Sequence, residues 1–406
     1  MAGKALILLE GASNGPFYLE AAQRLNLHPI TLSADPTQYD YLAAKQAHVI
    51  RVDTSDLEAL ICECSGLRAM YNIAGITSAQ EAVYATVGKL CQSFDLPGPN
   101  ALSVDKCCDK FTQRQILSAA GVLVPTYRMA VNAADVESAA AEIGLPVIVK
   151  PAVGIGSSGV QLCRDVDELA EHTARLLGGM AFCRSTPRIL VEQFAKGPHY
   201  SVELMGNEVI GIGAADFGRP PHFVCREYIY PASLAENDHA LIVDVALRCL
   251  RALGLGWGPT NIDLRWTERG PEVIEVNPRL AGMPNSRLVQ LAYDIDLVAE
   301  HIKLVIGGEL DLRKRNSGVA AARILVADRD GVLNAIEGDS RAAAVLGVVE
   351  AKFFVQPNIT VVRKGDHRDK IGHVIAVSPT LAQTKAILQR AVELMDWSIT
   401  PIPNGP

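Results

Sequence analysis

The stretch EVIEVNPRLAG places a carboxylate, a carboxamide and a guanidinium at every second position, as Glu275, Asn277 and Arg279. Successive side chains of a β-strand point to opposite faces of a sheet, so these three polar groups share one face. Ile274 and Val276 fall on the other face, where we expect them to anchor the strand in the core. A polar row at the end of so apolar a strand indicates a ligand site, and the competing interpretation is a solvated surface strand.

Asp263 supplies a second carboxylate to this row. It lies in TNIDLRW, which the turn TERG separates from PEVIEVN. Two apolar runs joined by a short glycine-containing turn predict a β-hairpin, which would bring Asp263 beside Glu275 and Asn277. Carboxylate and amide oxygens are ligands that Mg²⁺ takes together with nucleotide phosphates. We therefore predict a metal site at Asp263, Glu275 and Asn277, with the always-charged Arg279 facing a transferring phosphoryl group or an oxyanion.

A glycine loop, VGIGSSG at residues 153–159, lies between the strand-like runs PVIVK and VQLC. It is not a P-loop, because neither the lysine nor the helix of that motif follows. Backbone N–H groups and serine hydroxyls in such a loop can still bind phosphate, and Lys150 ends the entering strand. An ordinary flexible turn is the alternative. We predict that Lys150 has a catalytic role. We also predict that phosphate is contacted by Lys150 and by the loop residues Gly154, Gly156, Ser157, Ser158 and Gly159.

The elements that must hold these residues follow from the periodicity. The first hundred residues alternate strand and helix patterns, which predicts an α/β unit with a small parallel sheet. Its Gly11/Gly15 turn lacks the G-x-G-x-x-G pattern, so a turn lining another kind of pocket is favoured over NAD binding. In the middle third, SVDKCCDKFTQRQILSAAG and RLVQLAYDIDLVAEHIKLVIGG each read as one continuous helix. Beyond RKRNSG, strands and a helix predict a compact α+β unit.

The breaker cluster DLPGPN and the charged RKRNSG suggest the boundaries of three domains. We expect an N-terminal domain over residues 1–100, a central domain over 101–312 with a lid of about 125–192, and a C-terminal domain over 317–406. The length of 406 residues agrees with more than one core.

Composition narrows the class of function. The net charge of -7 and the scattered Lys and Arg exclude the basic footprint of a nucleic-acid-binding protein. No apolar run approaches the ~20 residues that a membrane span requires, and no signal peptide is evident. The nine cysteines show no C-x-x-C spacing, which favours free thiols in the cytoplasm over disulfides or structural zinc.

The order of these motifs resembles the ATP-grasp superfamily of carboxylate–amine and carboxylate–thiol ligases. The motifs are a helical DK ending at Lys110, VKP with the glycine loop, LVEQF, and then NIDLRW with IEVNPR. The resemblance covers about residues 100–310 by motif and the whole chain by layout. A finer resemblance is to the L-amino acid ligases, which form dipeptides in small peptide antibiotic pathways. GRPPHFV, LRALGLGWGPTNIDLRW, IEVNPRLAG and LVQLAYDIDLV look like that subfamily.

The resemblance implies an ATP-grasp fold with a Rossmann-like N-terminal domain, the pre-ATP-grasp domain, and a small C-terminal α+β cap. It implies ATP and Mg²⁺, with two Mg²⁺ ions expected and Mn²⁺ as a possible substitute, amino acids as substrates, and a homodimer. Lys110 and Lys150 would contact the ATP phosphates under the glycine loop as a lid. Glu192 and the backbone of Gln193 and Phe194 would contact the adenine, and His199 would meet the ribose.

The sequence departs from the pattern of these relatives at four positions. His199 stands where an acidic residue is usual, Asp263 where Glu is usual, Asn261 where close relatives have His, and Cys225 where an acidic residue is expected. Glu227, two positions after Cys225, is a possible compensation and thus a candidate substrate contact.

Two further side chains each have two interpretations, one as part of the substrate site and one as structural. His222, in the proline-rich RPPHF, either covers the substrate or belongs to a structural loop. Arg287 either binds a substrate carboxylate or lies on a solvated helix face.

The resemblance thus predicts an ADP-forming ligase that joins a carboxylate and an amino acid amine through an acyl phosphate. A biotin-carboxylase-like or purine-pathway ligase using bicarbonate or another small carboxylate is the alternative within the fold. A nucleotide-binding regulatory protein with a decayed site is the non-enzymatic alternative.

Overall fold

The computed structural model describes residues 3–180 and 187–401. The N-terminal region is the α/β unit that the sequence predicts, a parallel four-stranded sheet of order β3-β2-β1-β4. Its strands and helices, in chain order, are β1 Lys4–Leu9, α1 Gly15–Arg24, β2 His28–Ser33, α2 Asp40–Ala44, β3 His48–Arg51, α3 Leu57–Met70, β4 Asn72–Thr77 and α4 Tyr84–Ser93.

The central region begins with two helices, followed by a four-stranded antiparallel sheet of order β5-β8-β6-β7 that carries the glycine loop. The elements are α5 Ala101–Cys108, α6 Lys110–Ala119, β5 Tyr127–Ala130, α7 Ala133–Ile143, β6 Val147–Pro151, β7 Gln161–Cys163, α8 Val166–Met180 and β8 Ile189–Gln193.

A larger sheet follows, with order β13-β12-β9-β10-β11-β14-β18-β16. Its central-region elements, with the helices between and after them, are β9 His199–Met205, β10 Glu208–Asp216, β11 Glu227–Tyr230, α9 Glu236–Leu253, β12 Pro259–Thr267, β13 Gly270–Asn277, α10 Asn285–Tyr293 and α11 Leu297–Val305. The C-terminal region supplies β14 Val319–Val326, β15 Gly331–Glu337, α12 Asp339–Ala343, β16 Val348–Phe353, β17 Ile359–Val361, β18 Lys370–Ser378, α13 Leu381–Val392 and β19 Asp396–Thr400.

The C-terminal strands are divided between two sheets. β14 pairs with β11 from Arg323 opposite Glu227 to Ala320 opposite Tyr230, so the large sheet runs through both regions. Only β17, β15 and β19 make a separate three-stranded sheet. The domain boundaries near residues 100 and 317 stay predictions.

Two helices predicted as continuous are each broken, and in both cases an aspartate caps the second half. Asp109 has extended backbone, and its carboxylate accepts from Thr112 N at 2.7 Å. Asp296 likewise accepts from Ala299 N at 3.1 Å. Capping satisfies backbone N–H groups that a helix start leaves unpaired. The break at Asp109 places Lys110 at the first turn of α6, directed into the central cavity.

The core consists of several apolar clusters, and one of them joins the N-terminal, central and C-terminal regions through residues such as Leu6, Leu288 and Ala322. Three others each belong mainly to one region. One is the interior of the N-terminal sheet, one lies between α9 and the β9–β12–β13 strands, and one packs α13 on the C-terminal strands. In the parts of the chain that the structure describes, no helix is long and apolar enough to cross a membrane.

Candidate active site

A cavity of about 740 Å³ lies where the N-terminal loops, the glycine loop and the large sheet meet. It is large enough for a nucleotide and a small substrate together, since ligand sites typically measure roughly 300–1,000 Å³. With the exception of Gly159, the predicted nucleotide and metal residues and Arg279 line it: Lys110, Lys150, Gly154, Gly156, Ser157, Ser158, Glu192, Gln193, Phe194, His199, Asp263, Glu275, Asn277 and Arg279.

The predicted hairpin forms one wall of this cavity. β12 and β13 pair antiparallel, with Asp263 opposite Glu275 and Asn261 opposite Asn277. Gln113 of α6 holds the centre of β13, because its side chain bonds both the N–H and the carbonyl of Val276 at 2.9 Å. The two carboxylates and the carboxamide therefore come together on the cavity side of the hairpin, whose strand β13 is held by Gln113.

The expectation that Ile274 anchors the core is wrong. The register shifts between Asp263 and Leu264, so that Ile274 is an extra residue on β13 with no partner in the ladder. Such a bulge turns its side chain away from strict alternation. Ile274 lines the cavity, whereas Val276 is buried in the core as expected.

The donor set fits Mg²⁺ bound together with phosphates. Within residues 3–180 and 187–401, no group of three or more His, Cys, Asp or Glu side chains is arranged to hold a metal ion. Asp263 and Glu275 supply two carboxylates and Asn277 a neutral oxygen. Mg²⁺ commonly takes one or two carboxylates and completes its shell with water and substrate phosphates, so this set is sufficient.

Lys110 connects this wall to the glycine loop. Its Nζ lies 2.7 Å from Glu275 Oε1 and donates to the carbonyl of Gly154 at 2.6 Å. Burial raises the pKa of Glu275, but the adjacent Lys110, with Lys150 and Arg279 further off, outweighs it, so that the pKa is lower than usual. The site thus keeps an ionised carboxylate beside an ammonium.

Lys150 belongs to a buried charge cluster. Its Nζ lies 2.5 Å from Glu192 Oε2, and Arg114 Nε lies 2.6 Å from Glu192 Oε1. Burial lowers the pKa of Lys150, which the neighbouring Glu192 only partly counteracts. Burial also raises the pKa of Glu192, but the two cations outweigh it and the net direction is down. Arg114 also donates to the carbonyl of Ile274, so it holds β13 as well.

This cluster changes the expected contacts to adenine. Both oxygens of Glu192 already bond cations, and the backbone N–H of Gln193 donates to the carbonyl of Thr126 at 2.8 Å. A nucleobase contact in this segment must therefore use other groups, and the ring of Phe194 lies in the cavity. The adenine role of these residues stays a prediction.

His199 and Arg265 border the same part of the cavity. His199 Nε2 lies 3.2 Å from Asp263 Oδ1, and its ring lies 4.6 Å from that of Phe217 between centroids. The guanidinium of Arg265 lies 5.5 Å from the ring centre of Phe194 and 5.7 Å from that of Phe223. Arg265 was not singled out from the sequence, although its spacing of two from Asp263 on β12 is a usable signal.

Arg279 pairs with a residue from the N-terminal region. Its Nε lies 3.1 Å from Glu81 Oε2, and Glu81 begins a short 3₁₀ turn after β4. Burial raises the pKa of Glu81, with Arg279 acting against it. Sequence reasoning missed Glu81, because nothing in its local pattern indicates a partner 198 positions away.

A third carboxylate lies behind the wall. Glu203 of β9 is buried and accepts from Asn261 Nδ2 at 3.1 Å and from the Tyr230 hydroxyl at 3.3 Å. Burial, and secondarily the charge of Asp263, raises its pKa to about 7. The amide of Asn261 also donates to Ser201 Oγ at 2.8 Å. Asn261 is therefore held by the sheet as well as lining the cavity.

The glycine loop is a hairpin that rests on the C-terminal region. β6 and β7 pair antiparallel on either side of it, and Gly156 has a φ of +61°. The carbonyl of Gly156 accepts from His367 N at 3.1 Å, and His367 Nδ1 lies equally far from it. The loop therefore covers the cavity in a closed position.

The candidate substrate residues are not brought to this cavity. Glu227 pairs with Arg323 at 2.6 Å, and Arg287 donates to Gln290 at 2.7 Å. His222 lines a neighbouring pocket instead. The compensation expected of Glu227 is thus not supported by its position. Cys225 does line the cavity, but burial raises the pKa of its thiol to about 12, which makes it a poor nucleophile at neutral pH.

Comparison with known proteins identifies the fold family. Residues 143–286 match a family model described as the ATP-grasp domain, and residues 323–400 match one described as L-amino acid ligase C-terminal domain 2. The chain is 59% identical over 399 residues to the uncharacterized protein y4rH of Sinorhizobium fredii (strain NBRC 101917 / NGR234), covering 98% of this chain and 84% of that protein.

Two similar proteins have named activities. Carnosine synthase 1 of Mus musculus is 27% identical over 332 residues, which cover 76% of this chain and 40% of that protein. The chain thus spans about two fifths of that relative. The structure of the L-amino acid ligase from Bacillus licheniformis superimposes with a TM-score of 0.83 at 20% identity, covering 98% of this chain and 100% of the other.

These findings confirm the fold and the resemblance expected from the sequence. The two family models fall on the sheet that carries the site and on the C-terminal region that closes over it. The chain belongs to the ATP-grasp superfamily, and is an ATP-dependent carboxylate–amine ligase carrying an L-amino acid ligase C-terminal domain.

Proposed function

We propose that this chain joins the carboxylate of an amino acid, or of a related acid, to the amine of a second amino acid, and converts ATP to ADP and phosphate. The observation that carries the proposal is the convergence in one covered cavity of Asp263, Glu275 and Arg279 with the ammonium groups of Lys110 and Lys150. Phosphoryl transfer depends on such positioning and charge stabilisation more than on covalent help from the protein.

The reaction has two steps in this proposal. The substrate carboxylate attacks the γ-phosphorus of ATP, the bond to the β–γ bridging oxygen breaks, and an acyl phosphate and ADP result. The amine then attacks the acyl carbon, phosphate leaves, and the amine loses a proton to give the amide. Mg²⁺, held by Asp263, Glu275 and Asn277, would neutralise charge on the ATP phosphates. Lys110 and Lys150 balance the remaining phosphate charge, and Arg279 faces the reacting group.

The cavity also offers opposite charges for a zwitterionic substrate. Arg279 and Glu81 lie 3.1 Å apart on the cavity wall, one cationic and one a carboxyl group. A guanidinium suits a carboxylate, and a carboxylate suits an ammonium. This pair favours amino acids over bicarbonate, which has no ammonium group.

Water must be kept from an acyl phosphate until the amine arrives. The glycine loop in its closed position provides that cover. No protein nucleophile is required, in agreement with the raised pKa of Cys225.

Replacing Gly156 with alanine is expected to uncouple the reaction. An alanine at a φ of +61° costs roughly 1–2 kcal/mol, and its Cβ would lie 2.3 Å from His367 Nδ1, so the closed position is disfavoured. ADP release would then exceed amide formation, which parallel assays of ADP and amide measure. Gly178→Ala is the matched control, because it lies in α8 with no atom within 4 Å of the added Cβ. Equal ADP-to-amide ratios in Gly156→Ala and wild type would contradict a closing role for the loop.

The experiment that tests the proposed function is a phosphate-release screen with ATP and Mg²⁺. All pairs of amino acids are supplied, bicarbonate is tested separately, and products are identified by mass spectrometry. The proposal expects an amide with equimolar ADP for at least one pair. ADP release with bicarbonate alone would favour the biotin-carboxylase-like alternative, and AMP with pyrophosphate would overturn the acyl phosphate route. No turnover with any substrate would favour a decayed site.

Several finer properties belong to the same proposal. We expect a homodimer, a cytoplasmic location in keeping with the free cysteines among the described residues, and a role in the biosynthesis of a small peptide antibiotic. We also expect two Mg²⁺ ions, with Mn²⁺ able to replace them.

A further inference from the structure

A second, smaller pocket lies beside the main cavity, and Phe217 contributes to the walls of both. Its volume is about 280 Å³. Four segments enclose it: helix α8, the loop between β10 and β11, the turn between β14 and β15, and the segment between β17 and β18. The pocket is therefore built from the lid, the large sheet and the C-terminal region together.

Positive charge dominates this pocket. Its walls contain five cationic side chains, Arg175, Arg219, Arg226, Arg363 and Lys364, against the carboxylates of Asp330 and Asp369. A cleft lined by one sign of charge concentrates the field and attracts ions of the opposite sign.

The two carboxylates are already engaged by the backbone of the same segment. Asp369 accepts from the N–H groups of Lys364 at 2.6 Å and Gly365 at 2.8 Å. Asp330 accepts from Arg363 N at 2.9 Å, and Arg363 Nε lies 3.5 Å from it. They shape the loop and neutralise Arg363, but do not reach the other cations.

Three of the cations have no carboxylate partner in the described parts of the chain. Arg219, Arg226 and Lys364 lie more than 4 Å from any carboxylate there, whereas Arg175 pairs with Glu171 at 2.9 Å. Three cations without a carboxylate partner in the described residues therefore face one concave space. None of the three takes part in the reaction proposed for the main cavity.

We propose that this pocket binds a compact, phosphate-bearing anion distinct from the nucleotide. Arginine guanidinium groups match phosphate oxygens with paired N–H donors, and Lys364 adds a mobile point charge. The volume is below that of sites for drug-sized ligands, which suits inorganic phosphate or a small phosphomonoester.

Occupancy of the pocket would act on the lid. Arg175 belongs to α8, which follows the glycine loop, while Lys364 lies three residues before His367, the residue that holds Gly156. An anion bound between these segments bridges the lid and the C-terminal region. It would therefore favour the closed position of the glycine loop.

Isothermal titration calorimetry of the full chain tests this inference. The protein is first saturated with Mg²⁺ and a non-hydrolysable ATP analogue, so that the phosphate contacts of the main cavity are occupied. Inorganic phosphate, glycerol 3-phosphate and citrate are then titrated separately. We expect saturable binding of phosphate or glycerol 3-phosphate at one site per chain. The compound with the lower dissociation constant indicates whether the pocket recognises the free ion or the monoester.

Variants locate the binding. The double variant Arg226→Ala with Lys364→Ala is expected to bind the phosphate compound at least about tenfold more weakly, since the loss of even one bond to a charged group lowers affinity by roughly tenfold or more. Arg390→Ala, an exposed arginine of α13, is the matched control and should bind as wild type. Unchanged binding in the double variant, no saturable binding to wild type, or binding of citrate alone would overturn the inference. The melting temperature of each variant verifies that it is folded. Anion binding to this pocket, whether present or absent, does not test the reaction proposed for the main cavity.

Discussion

Glu275→Gln is expected to lower ATP-dependent amide formation by about 10²–10³-fold, the loss typical when one preorganised charge-stabilising group is removed from an active site. Glutamine keeps the volume of the side chain and removes its charge. The variant therefore loses a metal ligand and the partner of Lys110 Nζ, which lies 2.7 Å from the carboxylate. ADP and amide release at saturating ATP and Mg²⁺ measure the effect.

Glu272→Gln provides the matched control on the same strand. Glu272 is also buried, but it accepts from Thr267 Oγ1 at 2.8 Å and pairs with Arg269 away from the cavity. It should retain near wild-type turnover. If Glu275→Gln and Glu272→Gln turn over equally, the assignment of Glu275 to the metal site is wrong.

The wall that carries Glu275 could be predicted because its information is local. TNIDLRW, TERG and PEVIEVN contain alternation, a turn and a second alternation within 18 residues, which is enough to pair Asp263 with Glu275. The glycine loop was accessible for the same reason, since a glycine-rich run between two short apolar runs predicts a hairpin. Local patterns of this kind determine both position and orientation.

The helix breaks and the β-bulge could not be predicted, because each goes against the regular spacing of apolar residues around it. The apolar periodicity continues through Asp109 and Asp296, so it predicts one helix where the structure has two. An aspartate that caps a helix start stabilises a break in the helix, and the spacing of apolar residues alone does not reveal this contribution. The bulge that turns Ile274 into the cavity is likewise invisible to strict alternation.

Contacts between residues far apart in the sequence could not be predicted. Arg114 bonds Glu192, 78 positions later, and no local pattern in the sequence indicates that contact. Glu81 reaches Arg279 from another region of the chain. Such pairs arise from the tertiary arrangement, and a single sequence contains no direct record of them.

The buried cluster of Arg114, Lys150 and Glu192 leads to the largest expected effect on stability. Glu192→Gln removes the carboxylate that pairs with both Arg114 and Lys150, whose side chains are 0% and 5% exposed. Breaking a buried ion pair by removing one partner costs about 3–5 kcal/mol, because the remaining charge is left uncompensated. The free energy of unfolding, measured by urea denaturation at neutral pH, should fall by that amount.

The pH dependence adds a second readout. The pKa of Glu192 is lower than usual because the two cations outweigh the effect of burial. A carboxyl group with a depressed pKa stabilises the fold above the pKa of the unfolded state and loses that contribution as pH falls through its folded value. The stability of wild type should therefore decline in acid more steeply than that of Glu192→Gln, so the difference between the two narrows at low pH.

Glu142→Gln separates this effect from the loss of any ion pair. Glu142 pairs with Arg128 on the surface, where both side chains are exposed and solvent screens the charges. Its replacement should leave the unfolding transition nearly unchanged. If Glu192→Gln is as stable as wild type but has a raised KM for ATP, then Glu192 serves the adenine rather than the buried charge cluster. A loss of stability with little change in the KM for ATP would instead show that Glu192 holds Arg114 and Lys150 in place. Since Arg114 also bonds the carbonyl of Ile274, Glu192 would then support the strand that carries Glu275 and Asn277.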